Sequence, residues 1–198
     1  MTTPNPIDAT AGTAPAVYVI DPGVSRFTAR AFATGLLASL GHNPSFAIRQ
    51  FTGEAKFSGD AAEQASVRIV VQSGSLELSD QVSDKDRREI ERAMRNEVLE
   101  IGRFPEIVFE ASNPSLSKGG ESLYWANITG KLALHGVTQP QQITAQVSVT
   151  GNQLHASGEF SVRQSSFGIK PVSVAGGTMK IKDDVKVTFD FIARKKEQ

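Results

Sequence analysis

Leu132-Ala133-Leu134-His135-Gly136-Val137-Thr138-Gln139-Pro140 is the stretch on which the reading of this chain turns. Upstream of it, Tyr124, Ala126, Ile128, Gly130, Leu132 and Leu134 occupy every second position. That is the period of a strand with one apolar and one polar face. The chain then turns sharply at His135-Gly136 and a second strand begins. The stretch therefore reads as the tip of a long antiparallel hairpin.

The same alternation continues on both sides. Downstream, Ile143, Ala145, Val147 and Val149 share one face, as do Leu154, Ala156, Gly158, Phe160 and Val162, and later Val185, Val187, Phe189 and Phe191. Upstream, shorter strands are expected at Val17–Ile20, Ser25–Ala31, Phe46–Phe51, Gly53–Phe57, Val67–Val71 and Ile107–Ala111. Gly151-Asn152 is a two-residue hairpin signal, and Gly119-Gly120 and Gly176-Gly177 resemble it. Parallel pairing needs crossovers of a dozen or more residues. Most gaps here are too short, so the sheet is expected to be antiparallel.

One helix interrupts the strands, from about Asp84 to Glu100. Ser83 is its cap, Asp84 and Asp86 lie in the first turn, and Glu91 and Arg95 form an i,i+4 pair. Ile90, Met94, Val98 and Ile101 make an apolar stripe at helical spacing. A second, short helical turn is expected at Thr34 to Leu40.

The composition sets bounds. A chain of 198 residues is long enough to bury a full core as one domain. Lysine plus arginine equals aspartate plus glutamate at 21 each, which argues against general nucleic-acid binding. The absence of cysteine excludes disulfides, thiolate metal sites and cysteine nucleophiles. Residues 1–16, rich in Thr, Pro, Ala and Gly, lack the basic start and apolar run of a signal peptide. They are expected to be a disordered arm, with one β domain over 17–194 and a tail at 195–198. No apolar run reaches the ~18 residues of a membrane helix. A cytoplasmic location is the expectation, and the periplasm the alternative.

One apolar face on about eight strands with short turns fits either a barrel or a sandwich. Many inward positions are small: Ala29, Ala31, Gly53, Ala55, Ala126, Gly130, Ala145, Ala156 and Gly158. A barrel of about eight strands has room for one small ligand. The small residues favour a hollow; the rival reading is that large neighbours such as Phe160 and Phe189 fill the space.

Four segments resemble the YceI-like family. Leu132–Pro140 resembles its L-T-x-H-G-V-T-x-P signature, and Ile20-Asp21-Pro22 with Ser25 its "iDp.hS" opening. Phe104-Pro105-Glu106-Ile107-Val108-Phe109 resembles its "yP.itF" step, and Arg163 with Phe167-Gly168-Ile169 its "R..FGI" segment. The resemblance implies a mainly β, lipocalin-like antiparallel barrel, with one amphipathic helix and a short helical turn, that holds a long isoprenoid chain. The chain departs from the family's "rD.hLrs.dFFD" before the "yP" step. Here the region reads Asp86-Arg87-Arg88-Glu89 and then Val98-Leu99-Glu100, without the histidine or the paired phenylalanines. The helix is accordingly expected to differ as a lid, with a homodimer contact as its other reading.

A lumen of this kind implies ligand contacts from Phe27, Ala29, Ala31, Phe46 and Ile69 in the first strands. Phe109, Tyr124, Leu132, Ala145 and Val147 follow in the central ones. Phe160, Phe167, Phe189 and Phe191 come from the last part, and Met94 and Val98 from the helix. The expected partner is a polyisoprenoid, an isoprenoid quinone or a similar lipid, with no cofactor.

The residues with chemical potential are few. His42, in Leu40-Gly41-His42-Asn43-Pro44, is either a head-group contact at the barrel mouth or a turn histidine capping a helix end; the second is favoured. Arg163 offers a planar fork to a diphosphate or quinone oxygen, against the simpler role of tying down its loop. His135 is expected to bond backbone groups of its own turn, and His155 to be solvated. Three histidines at no ligand spacing make no zinc site, and no Gly-x-Ser-x-Gly elbow or phosphate loop occurs. The expected function is therefore binding without catalysis. A filled structural or stress-related module is the second reading, and an enzyme on an apolar substrate the third.

Overall fold

The computed structural model describes residues 15–34, 43–57, 64–174 and 179–197. Its strands are β1 (Ala16–Ile20), β2 (Arg26–Arg30), β3 (Ala33–Thr34), β4 (Ser45–Ile48), β5 (Phe51–Phe57), β6 (Ser66–Gln72) and β7 (Leu76–Leu78). After helix α1 (Asp84–Ala93) come β8 (Glu106–Ser112), β9 (Ser115–Lys118), β10 (Leu123–Leu134), β11 (Val137–Thr150) and β12 (Gln153–Arg163). The last are β13 (Ser173–Val174), β14 (Met179–Ile181) and β15 (Asp184–Lys195).

The main sheet closes on itself. Its ring runs β1, β5, β6, β8, β10, β11, β12 and β15, and β15 returns to β1. Every pairing is antiparallel, as the short connections require. The molecule is a closed eight-strand barrel. Closure leaves the ring with no edge strand along most of its circumference.

Several walls are long strands bent once. β1 and β2 share one edge of β15, pairing at Ile20↔Ala193 and Asp190↔Arg26. The step between them is the Asp21–Ser25 turn. Ser25 Oγ donates to the Asp21 carbonyl at 2.7 Å and accepts from Ile192 N–H at 3.0 Å; Gly23 N–H donates to Asp21 Oδ1. The opening motif is thus a bend, and its serine replaces a missing rung of the ladder. The expected single strand Phe46–Phe51 is likewise two: β4 ends at Ile48 and Phe51 begins β5. Facing this bend, β6 and β7 are separated by a 3-10 turn at Ser73–Ser75, and Arg49 N–H still donates to the Ser75 carbonyl.

β7 pairs β4 on one side, while β8 stays with β6. The barrel wall therefore parts between β7 and β8, and α1 crosses that gap. Ser83 caps the helix as expected, accepting from Asp86 N–H at 3.2 Å and donating to Asp86 Oδ2 at 2.7 Å. The regular helix is shorter than expected. It ends at Ala93, and a wider turn over Met94–Val98 follows, in which Leu99 N–H reaches back to the Met94 carbonyl. Helix side chains also satisfy the free edge of β7. Glu91 accepts from Leu78 N–H, and Arg87 donates to the carbonyls of Leu78 and Asp80. This is edge protection by a covering helix.

The signature hairpin forms as read. His135 and Gly136 both have positive φ, at 52° and 75°, the pattern of a type I′ two-residue turn. Pro140 sits within β11, where the strand pairs β10 but has not yet met β12; proline lacks the N–H a fully paired strand needs. Gly151-Asn152 links β11 to β12 as a tight turn, and Gly119-Gly120 lies in the β9–β10 hairpin. Gly176-Gly177 and the expected helical turn after Thr34 lie outside the described residues. Strands β3, β7, β9, β13 and β14 are additions to the expected set. They are two to four residues long, too short for a period to show. β3, β13 and β14 form a small separate sheet at the helix end of the barrel.

Candidate binding cavity

The inward stripes do not meet. They enclose a cavity of about 930 Å³, near the top of the ~300–1,000 Å³ range of small-molecule sites. Its wall is built from alternate residues of the barrel strands, closed on one side by Ile90, Met94 and Val98 of the helical segment. Met94 is only 6% exposed, so the helical stripe faces the barrel rather than solvent.

The expected ligand contacts line this cavity with two exceptions. Tyr124 packs its ring edge-on against Phe57, with centroids 5.3 Å apart. Phe167 is buried in the 3-10 turn after β12 and contributes its carbonyl to His135 instead. Other lining positions continue the same period: Ile20, Ile48, Ala126, Ile143, Val162 and Val187. They were readable in the alternation and differ in no way from their neighbours.

The small residues divide into two kinds. Ala29, Ala31, Ala55, Ala126, Ala145 and Ala156 line open volume. The glycines do not create space. A Cβ on Gly130 would lie 2.5 Å from the Phe109 ring, one on Gly158 2.8 Å from Phe189, and one on Gly53 2.5 Å from Ile20. At these three positions a large neighbour lies flat on bare backbone, as the filled-core reading held. Phe27, Phe51 and Phe191 also pack among themselves at centroid distances of 5.0–5.5 Å.

The polar residues are distributed unevenly. On the helix side, exposed Asp86, Glu89 and Glu97 border the cavity together with partly buried Asp80 and exposed Arg92, which pairs with Glu97 at 3.4 Å. Lys56 and Ser66 border it at the opposite end. Deep in the wall the polar side chain is Gln164, 6% exposed.

Arg163 requires a correction. Its side chain is 65% exposed, lies 3.6 Å from Asp184 on the outer face and does not line the cavity. The "R..FGI" pattern leaves two residues between arginine and phenylalanine, and Gln164 rather than Arg163 stands at that distance from Phe167. A slip of one residue exchanges the two faces of a strand. His42 lies outside the described residues.

His135 also differs from expectation. It serves neighbouring loops rather than its own turn. Nε2 is 2.6 Å from Glu100 Oε2 and Nδ1 is 3.3 Å from the Phe167 carbonyl. Both partners are acceptors, so the two bonds are made together only by the doubly protonated ring. Hydrogen bonds from Arg103 and His135 hold the Glu100 carboxyl below the usual glutamate range. The His135 ring packs on Phe104 at 4.4 Å, and a Cβ on Gly136 would strike that same ring. Ser73 donates to the Phe104 carbonyl at 2.6 Å. The signature turn, the Phe-Pro step and the Phe-Gly turn thus meet in one latch at the helix end, beside the cavity. His155 lies on the outer face with its side chain 43% exposed, as expected, and it pairs there with Asp190 at 2.5 Å.

Among the described residues no group of three His, Cys, Asp or Glu side chains is placed to hold a metal ion, and no helix is long and apolar enough to cross a membrane.

The YceI-like domain model matches residues 18–193. A UPF0312 protein of Pseudomonas syringae pv. tomato is 27% identical over 145 residues, covering 70% of this chain and 69% of that protein. A UPF0312 protein of Vibrio parahaemolyticus is 30% identical over 102 residues, 52% of this chain and 49% of that protein. The fold is similar to that of Burkholderia cenocepacia BcnA, with a TM-score of 0.67 and 18% identity over 87% of this chain and 98% of that one. It is equally similar to a polyisoprenoid binding domain from Saccharophagus degradans implicated in plant cell wall breakdown, at TM-score 0.66 and 12% identity, covering 91% and 99%.

Proposed function

This chain belongs to the YceI-like family, and from that premise we propose that its barrel binds a long apolar ligand, a polyisoprenoid or an isoprenoid quinone, for storage or transport without chemical change. The observation that carries the reading is the 930 Å³ cavity walled by alternating apolar side chains. Each buried methylene contributes ~0.8 kcal/mol. A long chain therefore gains affinity without specific contacts, offset in part by the cost of ordering it. The likeness in fold to a polyisoprenoid binding domain supports the same class of ligand.

A non-catalytic role fits the placement of the titratable groups. The carboxylates sit at the solvent border, and the Glu100–His135 pair is engaged in holding loops together. The deciding experiment is organic extraction of the purified protein followed by mass spectrometry. A stoichiometric isoprenoid is the expected result. Protein that is lipid-free and takes up no isoprenoid from vesicles would favour a structural module instead.

A further inference from the structure

The cavity wall holds one deeply buried polar side chain among the described residues, and its surroundings keep it in place. Gln164 opens the 3-10 turn that leaves β12. Its backbone N–H donates to the Asp183 carbonyl at 2.9 Å, and its carbonyl accepts from Ile169 N–H at 3.1 Å. The side-chain Nε2 donates to the Lys182 carbonyl at 2.9 Å. Beside it, Ser165 clamps Asp183 through both its backbone N–H and its hydroxyl. The bond to Lys182 fixes which way the amide points, and no described residue donates to Oε1. An acceptor held in a mainly apolar wall leaves a hydrogen bond to be made. A ligand that covers this oxygen without donating to it loses more than the bond itself would gain.

Charge at this end points the same way. β12 ends here at Arg163↔Asp184, and β15 leads through Lys186↔Arg30↔Ser45 to β7 and the helix. Among the described residues the cavity border on that side carries Asp80, Asp86, Glu89 and Glu97 against Arg92. The remaining cation on the border, Lys56, lies at the opposite end.

We propose that Gln164 receives the polar end of the ligand, that this end is an uncharged hydroxyl donating to Oε1, and that the site rejects phosphorylated chains. The proposal rests on the reading of the barrel as a lipid binder and adds to it the class of head group. A phosphate brought to this end finds a neutral amide and a border of carboxylates. An alcohol satisfies Gln164 and carries no charge to desolvate.

The test is calorimetric titration of the full chain with farnesol, farnesyl monophosphate and the saturated hydrocarbon farnesane. The alcohol is expected to bind at least about tenfold more tightly than the phosphate, and added salt should strengthen the phosphate by screening the carboxylates. Gln164→Leu should weaken the alcohol about tenfold and leave farnesane unchanged. Gln164→Met, unbranched like glutamine, serves if the leucine variant does not fold. Phosphate binding equal to or tighter than alcohol in the wild type overturns the proposal without any variant. So does an alcohol-to-hydrocarbon ratio that a folded variant leaves unchanged. If none of the three probes binds, the lipid-binding reading falls with it; if all bind and phosphate is tightest, only the head-group inference falls.

Discussion

The latch at the helix end is made of the turns that join the strands, the wall of the cavity is made of the strands themselves, and the two are built on opposite rules. At the latch, Glu100, Phe104, His135, Gly136 and Phe167 each meet a particular partner at a particular distance. In the wall, Ala29, Ile69, Ala145 and Phe160 share a face and enclose volume, with no polar contact of their own. The polar and turn residues of the motifs are therefore chiefly fasteners, whereas the wall is chosen by face alone, with the motif members Ile20, Phe109, Leu132 and Ile169 lining it beside residues that carry no motif. The two regions should respond to substitution in opposite ways, and that contrast can be broken by experiment.

The largest effect should come at the turn. Gly136 combines a φ of 75° with a Cβ position that the Phe104 ring already occupies. Gly136→Val adds backbone strain of about 1–3 kcal/mol to overpacking of about 1–3 kcal/mol. A loss of about 3 kcal/mol or more is expected from urea denaturation. A variant as stable as the wild type would mean that the latch yields, and the contrast would fail.

Next comes His135 itself. His135→Ala leaves Glu100 with one of its two hydrogen-bond partners, opens the Phe104 contact and strands the Phe167 carbonyl. Stranding a partly buried acceptor costs about 1–3 kcal/mol. The melting temperature should fall accordingly, while lipid recovered from the folded fraction stays unchanged. Lost lipid with unchanged stability would move His135 from the frame to the ligand site.

In the wall the signs reverse. Ala145 borders open volume, so Ala145→Phe should project into the cavity, change stability by less than about 1 kcal/mol and abolish bound lipid. In a solid core the same change costs about 1–3 kcal/mol. A large drop in melting temperature with no lipid in either protein would restore the filled-core reading.

These expectations follow the division between what the sequence discloses and what it hides. The period-two stripes and the helical stripe through Met94 are repeated over many residues, so the walls and the covering helix could be read directly. The bend between β4 and β5 is marked in the sequence only by a change of phase: Phe46 and Ile48 keep the period of two, Phe51 falls one position off it, and the partner strand turns at Ser73–Ser75. The glycines misled in part. A missing side chain reads as empty space, whereas Phe109, Phe189 and Ile20 fill it from across the sheet. Arg163 misled by one position, and one position in a strand is a change of face. The meeting of Glu100, His135 and Phe167 is long-range and polar, and no local pattern encodes it.

The smallest and most discriminating effect is on the acid side. Hydrogen bonds from Arg103 and His135 depress the folded-state pKa of Glu100 below its unfolded value. A group so depressed contributes stability that is fully present above its unfolded pKa and is lost as pH falls through the folded one. Wild type should thus melt above Glu100→Gln at neutral pH, and the gap should close as pH drops below the ordinary glutamate range. Asp183 is depressed as well, through its bonds from Ser165. Since Glu100→Gln leaves that contribution in place, the variant keeps part of the acid transition. Melting temperatures of the two proteins across the acid range measure this without any ligand. A gap that stays constant with pH would mean that Glu100 acts at the latch by shape and not by charge. The carboxylate would then be removed from the set of fasteners, and the contrast between latch and wall would rest on Gly136 and the aromatic contacts alone.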